Sequence, residues 1–187
     1  MSALSLPASA VGPYYVNDTA TAGDSFTTAI GNDGNTGTTA SAPFRTLIKA
    51  MTSAVAGETI YIDAGIFDSY TIVNGSETAG VNIDKDSVTL LGKDSASTII
   101  DPPGASTLSG LFGIYADTQL SLIIKNLAVV GAYDGIHFRN VDSSYVTGDS
   151  FSYNGNAGIS MTDDGDSNRI ATNSFIGNTS YGVFLQV

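Results

Sequence analysis

Three short tetrads follow one pattern: Gly135-Ile136-His137-Phe138, Gly158-Ile159-Ser160-Met161 and Gly182-Val183-Phe184-Leu185, with the glycines 23 and 24 residues apart. A period of that length is one turn of a solenoid, a unit that cannot bury its apolar face alone and must stack on its neighbours. Nine residues before the three glycines stand Asn126, Asp149 and Asn173, so a small amide or carboxylate recurs in the same register. Within each tetrad apolar residues alternate with others, which is the period of a strand and not of a helix. The repeat is therefore a coil of short strands.

Coils stacked about 4.8 Å apart place Ile136, Ile159 and Val183 in one inward column and Phe138, Met161 and Leu185 in the next. The same parity sends His137, Ser160 and Phe184 outward as one column and Arg139, Thr162 and Gln186 outward as another. An earlier run, Gly113-Ile114-Tyr115-Ala116, lies 22 residues before Gly135 and fits the same frame. It sets Tyr115 beside His137, and Asp117 beside Arg139.

Bulk composition narrows the function classes. The 187 residues suffice for one domain with a sizeable core, expected as a flexible segment over 1–13 and a single β-helix domain over 14–187. Eighteen acidic against seven basic residues give a net charge of −11, which repels phosphate backbones and anionic lipid. Neither nucleic acid nor membrane insertion is expected, and no apolar run reaches the length of a spanning helix. Cysteine is absent and histidine occurs once, which removes disulfides, thiolate sites and an ordinary zinc site. Only 13% of residues are charged while glycine is abundant, a neutral, turn-rich surface suited to an extracellular or cell-surface all-β solenoid. Residues 1–12 lack the basic start and apolar stretch of a cleaved signal. Tyr181 to Val187 stop within a repeat, so further coils of the same chain, or another subunit, are expected at that end.

Along the chain, Tyr14 to Val16 reads as a first strand and Gly31 to Thr39 as loop. Phe44, Leu47, Ile48, Met51 and Val55 follow helical spacing, with Ser41 placed to cap the start, Pro43 in the first turn and Gly57 beyond the end. This predicts one helix of about three turns, acting as the cap of the first coil. Short β-prone runs follow at Thr59–Asp63, Tyr70–Val73, Val88–Leu91, Thr98–Ile100, Gly113–Ala116 and Leu122–Val130.

That order of Tyr14-Tyr15-Val16, an Asn/Gly loop, Ala42-Pro43-Phe44-Arg45-Thr46-Leu47, Gly57-Glu58-Thr59-Ile60-Tyr61-Ile62 and Val88-Thr89-Leu90-Leu91-Gly92 resembles the start of proteins of the pectin lyase-like superfamily. The Asn-x-Phe turn of that superfamily is matched by Asn173-Ser174-Phe175, and with Asp for Asn by Asp149-Ser150-Phe151. The resemblance implies an all-β, right-handed parallel β-helix with one N-terminal capping α-helix. It leaves activity open, because the superfamily holds polysaccharide lyases, hydrolases, epimerases, phage tailspikes and noncatalytic surface proteins.

The outward residues Tyr115, Asp117, His137 and Arg139 form the candidate catalytic patch. An arginine that neutralises a uronate carboxylate, with a histidine or tyrosine that removes the C5 proton, is the set that a lyase or C5-epimerase requires. In the alternative, Asp117 and Arg139 are an ion pair between coils and His137 is solvated. Asp134, Ser160, Thr162, Phe184 and Gln186 are the candidate carbohydrate-binding residues of a noncatalytic face. Asp163, Asp164 and Asp166 lie in one turn whose clustered oxygens suit Ca²⁺ better than glycoside hydrolysis, since carboxylates in one turn do not oppose each other across a bond. No cofactor is required by this reading; Ca²⁺ is the optional ligand and a polysaccharide the expected partner. The Asn126, Asp149, Asn173 column is expected to be structural, bonding stacked corners together.

Overall fold

The computed structural model describes residues 12–104, 106–163 and 165–186. Its strands wind through three sheets in turn, and nearly every neighbouring pair is parallel. The first sheet stacks Tyr14–Val16, Thr59–Ile62, Thr89–Gly92, Ile123–Lys125, Tyr145–Thr147 and Arg169–Ala171. The second stacks Gly65–Phe67, Thr98–Ile100, Ala128–Val130, Ser150–Ser152 and Ser174–Ile176. The third runs from Thr71–Asn74 and Glu77–Ile83 through Leu111–Asp117, Asp134–Arg139 and Ala157–Thr162 to Tyr181–Leu185. This is a parallel β-helix.

The inward columns form as the tetrads predict: Ile114, Ile136, Ile159 and Val183 stand in register, as do Phe138, Met161 and Leu185. The second sheet adds an aromatic and aliphatic column of Phe67, Ile100, Val129, Phe151 and Phe175. They make one continuous core, against which Phe175 and Val183 of the last coil are partly buried, while Leu185, expected inward, is exposed at the open end of its column. Glycines that open the third-sheet strands face this core closely. A Cβ on Gly113 would lie 2.1 Å from Val129 Cγ1, so only glycine lets the strand approach the second-sheet column.

Three corners separate the sheets, and each repeats one device. The residue before each corner position is left-handed: Ser121, Asn126 and Gly131 in one coil, Ser143, Gly148 and Tyr153 in the next, and Ser167, Thr172 and Gly177 in the last. The corner residue then receives a side-chain bond from the coil above. Leu122 N–H donates to Ser144 Oγ and Ser144 N–H to Asn168 Oδ1, both at 2.9 Å. Leu127 N–H donates to Asp149 Oδ1 and Asp149 N–H to Asn173 Oδ1, again at 2.9 Å. Ala132 N–H donates to Asn154 Oδ1 and Asn154 N–H to Asn178 Oδ1, at 3.1 Å. These bonds satisfy turn amides that the strands leave unpaired. The structural reading of the column therefore holds for Asp149 and Asn173, but Asn126 is one position out: Leu127 pairs with Asp149, and Asn126 occupies the left-handed site. The cause is one extra residue in the third corner of the later coil, where Val130 to Asp134 is matched by Ser152 to Ala157.

Other boundaries also differ from the sequence expectation. The helix spans Leu47–Ser53 and is capped by Thr46, whose side chain accepts the Lys49 N–H, not by Ser41. Phe44 is committed to the sheet, donating to Tyr15 O and accepting from Asn17 N, so the helix cannot begin before it and Pro43 lies outside it. The helix still covers the first coils, with Leu47, Ala50 and Met51 in the core. Leu122–Val130 is two strands broken at the Asn126 corner. The run expected over Tyr70–Val73 is Thr71–Asn74, which folds back antiparallel onto Glu77–Ile83 instead of forming a coil side. The loop after Val16 is pinned by fully buried Asp63, which accepts the N–H groups of Ser25, Phe26 and Thr27 at 2.7–2.8 Å. Part of the expected 1–13 segment, like Asp164 and Val187, lies outside the described residues. Among those described, no helix is long and apolar enough to cross a membrane.

Candidate functional site

Strand register brings the predicted residues together on the outer face of the third sheet. Asn82, Tyr115, His137, Ser160 and Phe184 are successive rungs of one column, and Asp117, Arg139 and Thr162 of its neighbour. The column is less open than parity alone suggests. Tyr115 is only 4% exposed and Ser160 2%. Thr162 and Phe184 are half-buried, and Gln186 is exposed.

Phe112, which the tetrad pattern does not reveal, organises the patch. It stacks on His137 with ring centroids 4.3 Å apart and on Tyr115 at 5.5 Å, and with Ala79 and Val73 it forms a small second apolar cluster. Val73 comes from the hairpin strand that forms the edge of this sheet.

Asp134 is buried rather than displayed for a ligand. Its Oδ2 lies 2.9 Å from His137 Nδ1, while its Oδ1 accepts Asn156 Nδ2 at 2.8 Å and Ala157 N at 3.2 Å. A carboxylate so engaged accepts the Nδ1 proton and leaves Nε2 as the ring acceptor. Nε2 has no protein partner among the described residues and is not an enclosed unsatisfied atom, so it faces solvent.

Asp117 and Arg139 form an ion pair between adjacent coils, each side chain about a third exposed. The Arg139 hydrogen bond holds the Asp117 carboxyl below the usual carboxylate range, and the same bond raises Arg139 further. Burial, with the Asp117 charge second, pushes the Tyr115 hydroxyl up, so that it stays protonated and reaches toward Asp117 Oδ2 at 3.5 Å. Beside this pair opens a cavity of about 220 Å³, lined by Asn74, Asn82, Asp84, Gln119, Tyr115 and the Asp117–Arg139 pair among others. Of the lining amides, Asn82 is a rung of the outer column on Glu77–Ile83, whereas Asn74 ends the preceding hairpin strand and Gln119 lies in the turn after Leu111–Asp117.

The Asp163 and Asp166 side chains are exposed, and no group of three or more His, Cys, Asp or Glu residues comes together among the described residues. Asp164, the third carboxylate of the expected Ca²⁺ turn, lies outside the described residues.

The sequence model of the family described as "Periplasmic copper-binding protein (NosD)" matches residues 90–184, just over half of the chain. That family is one of right-handed parallel β-helices with the pectin lyase-like fold, in agreement with the three parallel sheets. No curated protein and no solved structure matches the chain.

Proposed function

The chain belongs to the NosD family, and from that premise we propose that it is a noncatalytic β-helix module of an extracytoplasmic protein, a rigid scaffold whose third-sheet outer face binds carbohydrate. The periplasmic description of the family supports a location outside the cytoplasm. The observation that carries the binding reading is the state of the charged groups. Arg139 is tied to Asp117 and His137 to Asp134, so the patch offers a fixed array of hydrogen-bonding groups beside a polar-lined cavity. Such an array recognises hydroxyl-rich ligands by position and loses little side-chain entropy on binding. Affinity electrophoresis against a panel of polysaccharides tests it: retarded migration in at least one gel is expected, and unretarded migration in all of them removes the binding function.

Copper, named in the family description, does not fit the residues present. Copper sites are built from imidazole, thiolate and thioether donors. This chain has no cysteine and one histidine, whose Nδ1 is taken by Asp134, while Met51 and Met161 are buried in the apolar core. No copper-dependent step is therefore assigned to it.

A second reading, a lyase or C5-epimerase acting on uronate polymers, draws on one observation. His137 Nε2 faces solvent while its Nδ1 is fixed on a buried carboxylate, the arrangement of an oriented general base. Ultraviolet absorbance from a C4–C5 unsaturated product tests the lyase and solvent deuterium uptake at C5 tests the epimerase, each expected to be lost in His137→Ala; absence of both signals excludes the reading.

A further inference from the structure

We infer that the cavity beside Tyr115 takes a neutral or amino-bearing sugar unit and excludes uronates and sulfated sugars. This deepens the carbohydrate-binding reading above and rests on it. The first ground is charge. Asp84 and Asp117 line the cavity, and Glu77 and Asp163 lie within electrostatic reach of its Tyr115 and Arg139. Against them stand Arg139, already bonded to Asp117, and Lys85, which is bonded to Asp84 and to the Met51 carbonyl. An anionic sugar would have to share the Arg139 guanidinium with Asp117, a carboxylate already bonded to it, and so would sit beside a like charge. Within a Debye length of about 8 Å at physiological salt the remaining carboxylates oppose it. The net charge of −11 extends that repulsion to any long acidic polymer.

The second ground is the chemistry of the lining. Asn74, Asn82 and Gln119 each carry an amide that both donates and accepts, which matches sugar hydroxyls. Tyr115 remains a protonated hydroxyl, since burial raises it, and contributes a further donor and acceptor. Its ring is stacked against Phe112 and lies near-parallel to His137, so it serves as a fixed wall. The hairpin strand supplies Val73 as the apolar side against which a pyranose C–H face can rest. A cavity of about 220 Å³ has room for a single ring, so recognition is of one unit along a chain.

Isothermal titration with cello-oligosaccharide, chitosan oligosaccharide and oligogalacturonate tests the class, and Asn82→Ala and Asn74→Ala test the site, with circular dichroism and thermal melts confirming that the variants fold. The expected result is binding of the neutral or amino sugar, no heat with oligogalacturonate, and about tenfold weaker binding in Asn82→Ala. Preferential oligogalacturonate binding that is lost in Arg139→Ala would overturn the class while leaving the binding module intact. Neutral-sugar binding unchanged in both asparagine variants would overturn the site. Absence of binding to all three, together with no retention on the wider polysaccharide panel, would remove the underlying reading as well.

Discussion

Asp149 stands where its ladder calls for an amide. In the last coil Asn168, Asn173 and Asn178 each do two things: Oδ1 accepts a corner N–H from the coil below, and Nδ2 donates to a backbone carbonyl of Val141, Val146 or Phe151. Asp149 performs the first task through Oδ1 but has no proton for the second. Its Oδ2 is buried with no partner. Burial pushes its carboxyl up from 3.8 to about 7, against the smaller lowering effect of backbone N–H groups from Leu127 and Thr147. A folded-state pKa above the unfolded value favours the folded state at low pH. The penalty is therefore absent below about 3.8, grows as pH rises toward about 7, and is constant above that. At about 1.4 kcal/mol per pH unit the full penalty is about 4 kcal/mol. Asp149→Asn removes it and adds a hydrogen bond worth about 1 kcal/mol. Urea denaturation should then show the variant more stable by about 3 to 5 kcal/mol near pH 8, shrinking to about 1 kcal/mol near pH 4. Equal stability near pH 8, or a gain that does not shrink on acidification, would refute the account of this corner.

Gly113→Ala forces a Cβ to within 2.1 Å of Val129 Cγ1 and 2.5 Å of Gly135 O, so thermal or urea unfolding should report a loss of about 3 kcal/mol or more. Asp63→Ala leaves the N–H groups of Ser25, Phe26 and Thr27 without their acceptor; a loss of about 3 kcal/mol is expected, with faster limited proteolysis between Asn17 and Gly31. Nitrogen-detected NMR of the single histidine should show the Nδ1–H tautomer in the wild type, and Asp134→Ala should abolish that preference. Calorimetric titration with Cu²⁺ should reveal no tight site, because one imidazole is the only accessible soft or nitrogen side-chain donor; a submicromolar site would contradict the donor argument.

Much of the site was legible because register in a solenoid is a matter of counting. Tyr115 beside His137, and Asp117 beside Arg139, follow from glycine spacing alone. What counting could not supply was coverage: Phe112 stacks on Tyr115 and His137, the edge strand brings Val73 to the same cluster, and both Tyr115 and Ser160 are buried. Asp134 shows the same limit. Its position was visible, but its role depends on Asn156 from the next coil, which a corner insertion shifts out of simple phase. The five-residue interval of Asn168, Asn173 and Asn178 was in the sequence, yet it becomes meaningful only once each amide is seen bonding one coil down.

The coil, its inward columns and the pairing of outward residues were already written in the order of residues, because a strand's alternation and a constant repeat leave one way to stack apolar faces. Where the helix begins, which strand turns back and which carboxylates are buried emerge only in the folded chain. Those outcomes depend on competition for the same backbone groups and on side chains arriving from other coils. Phe44 joins the sheet because Tyr15 and Asn17 take its hydrogen bonds, and Asp134 is enclosed because His137 and Asn156 meet it.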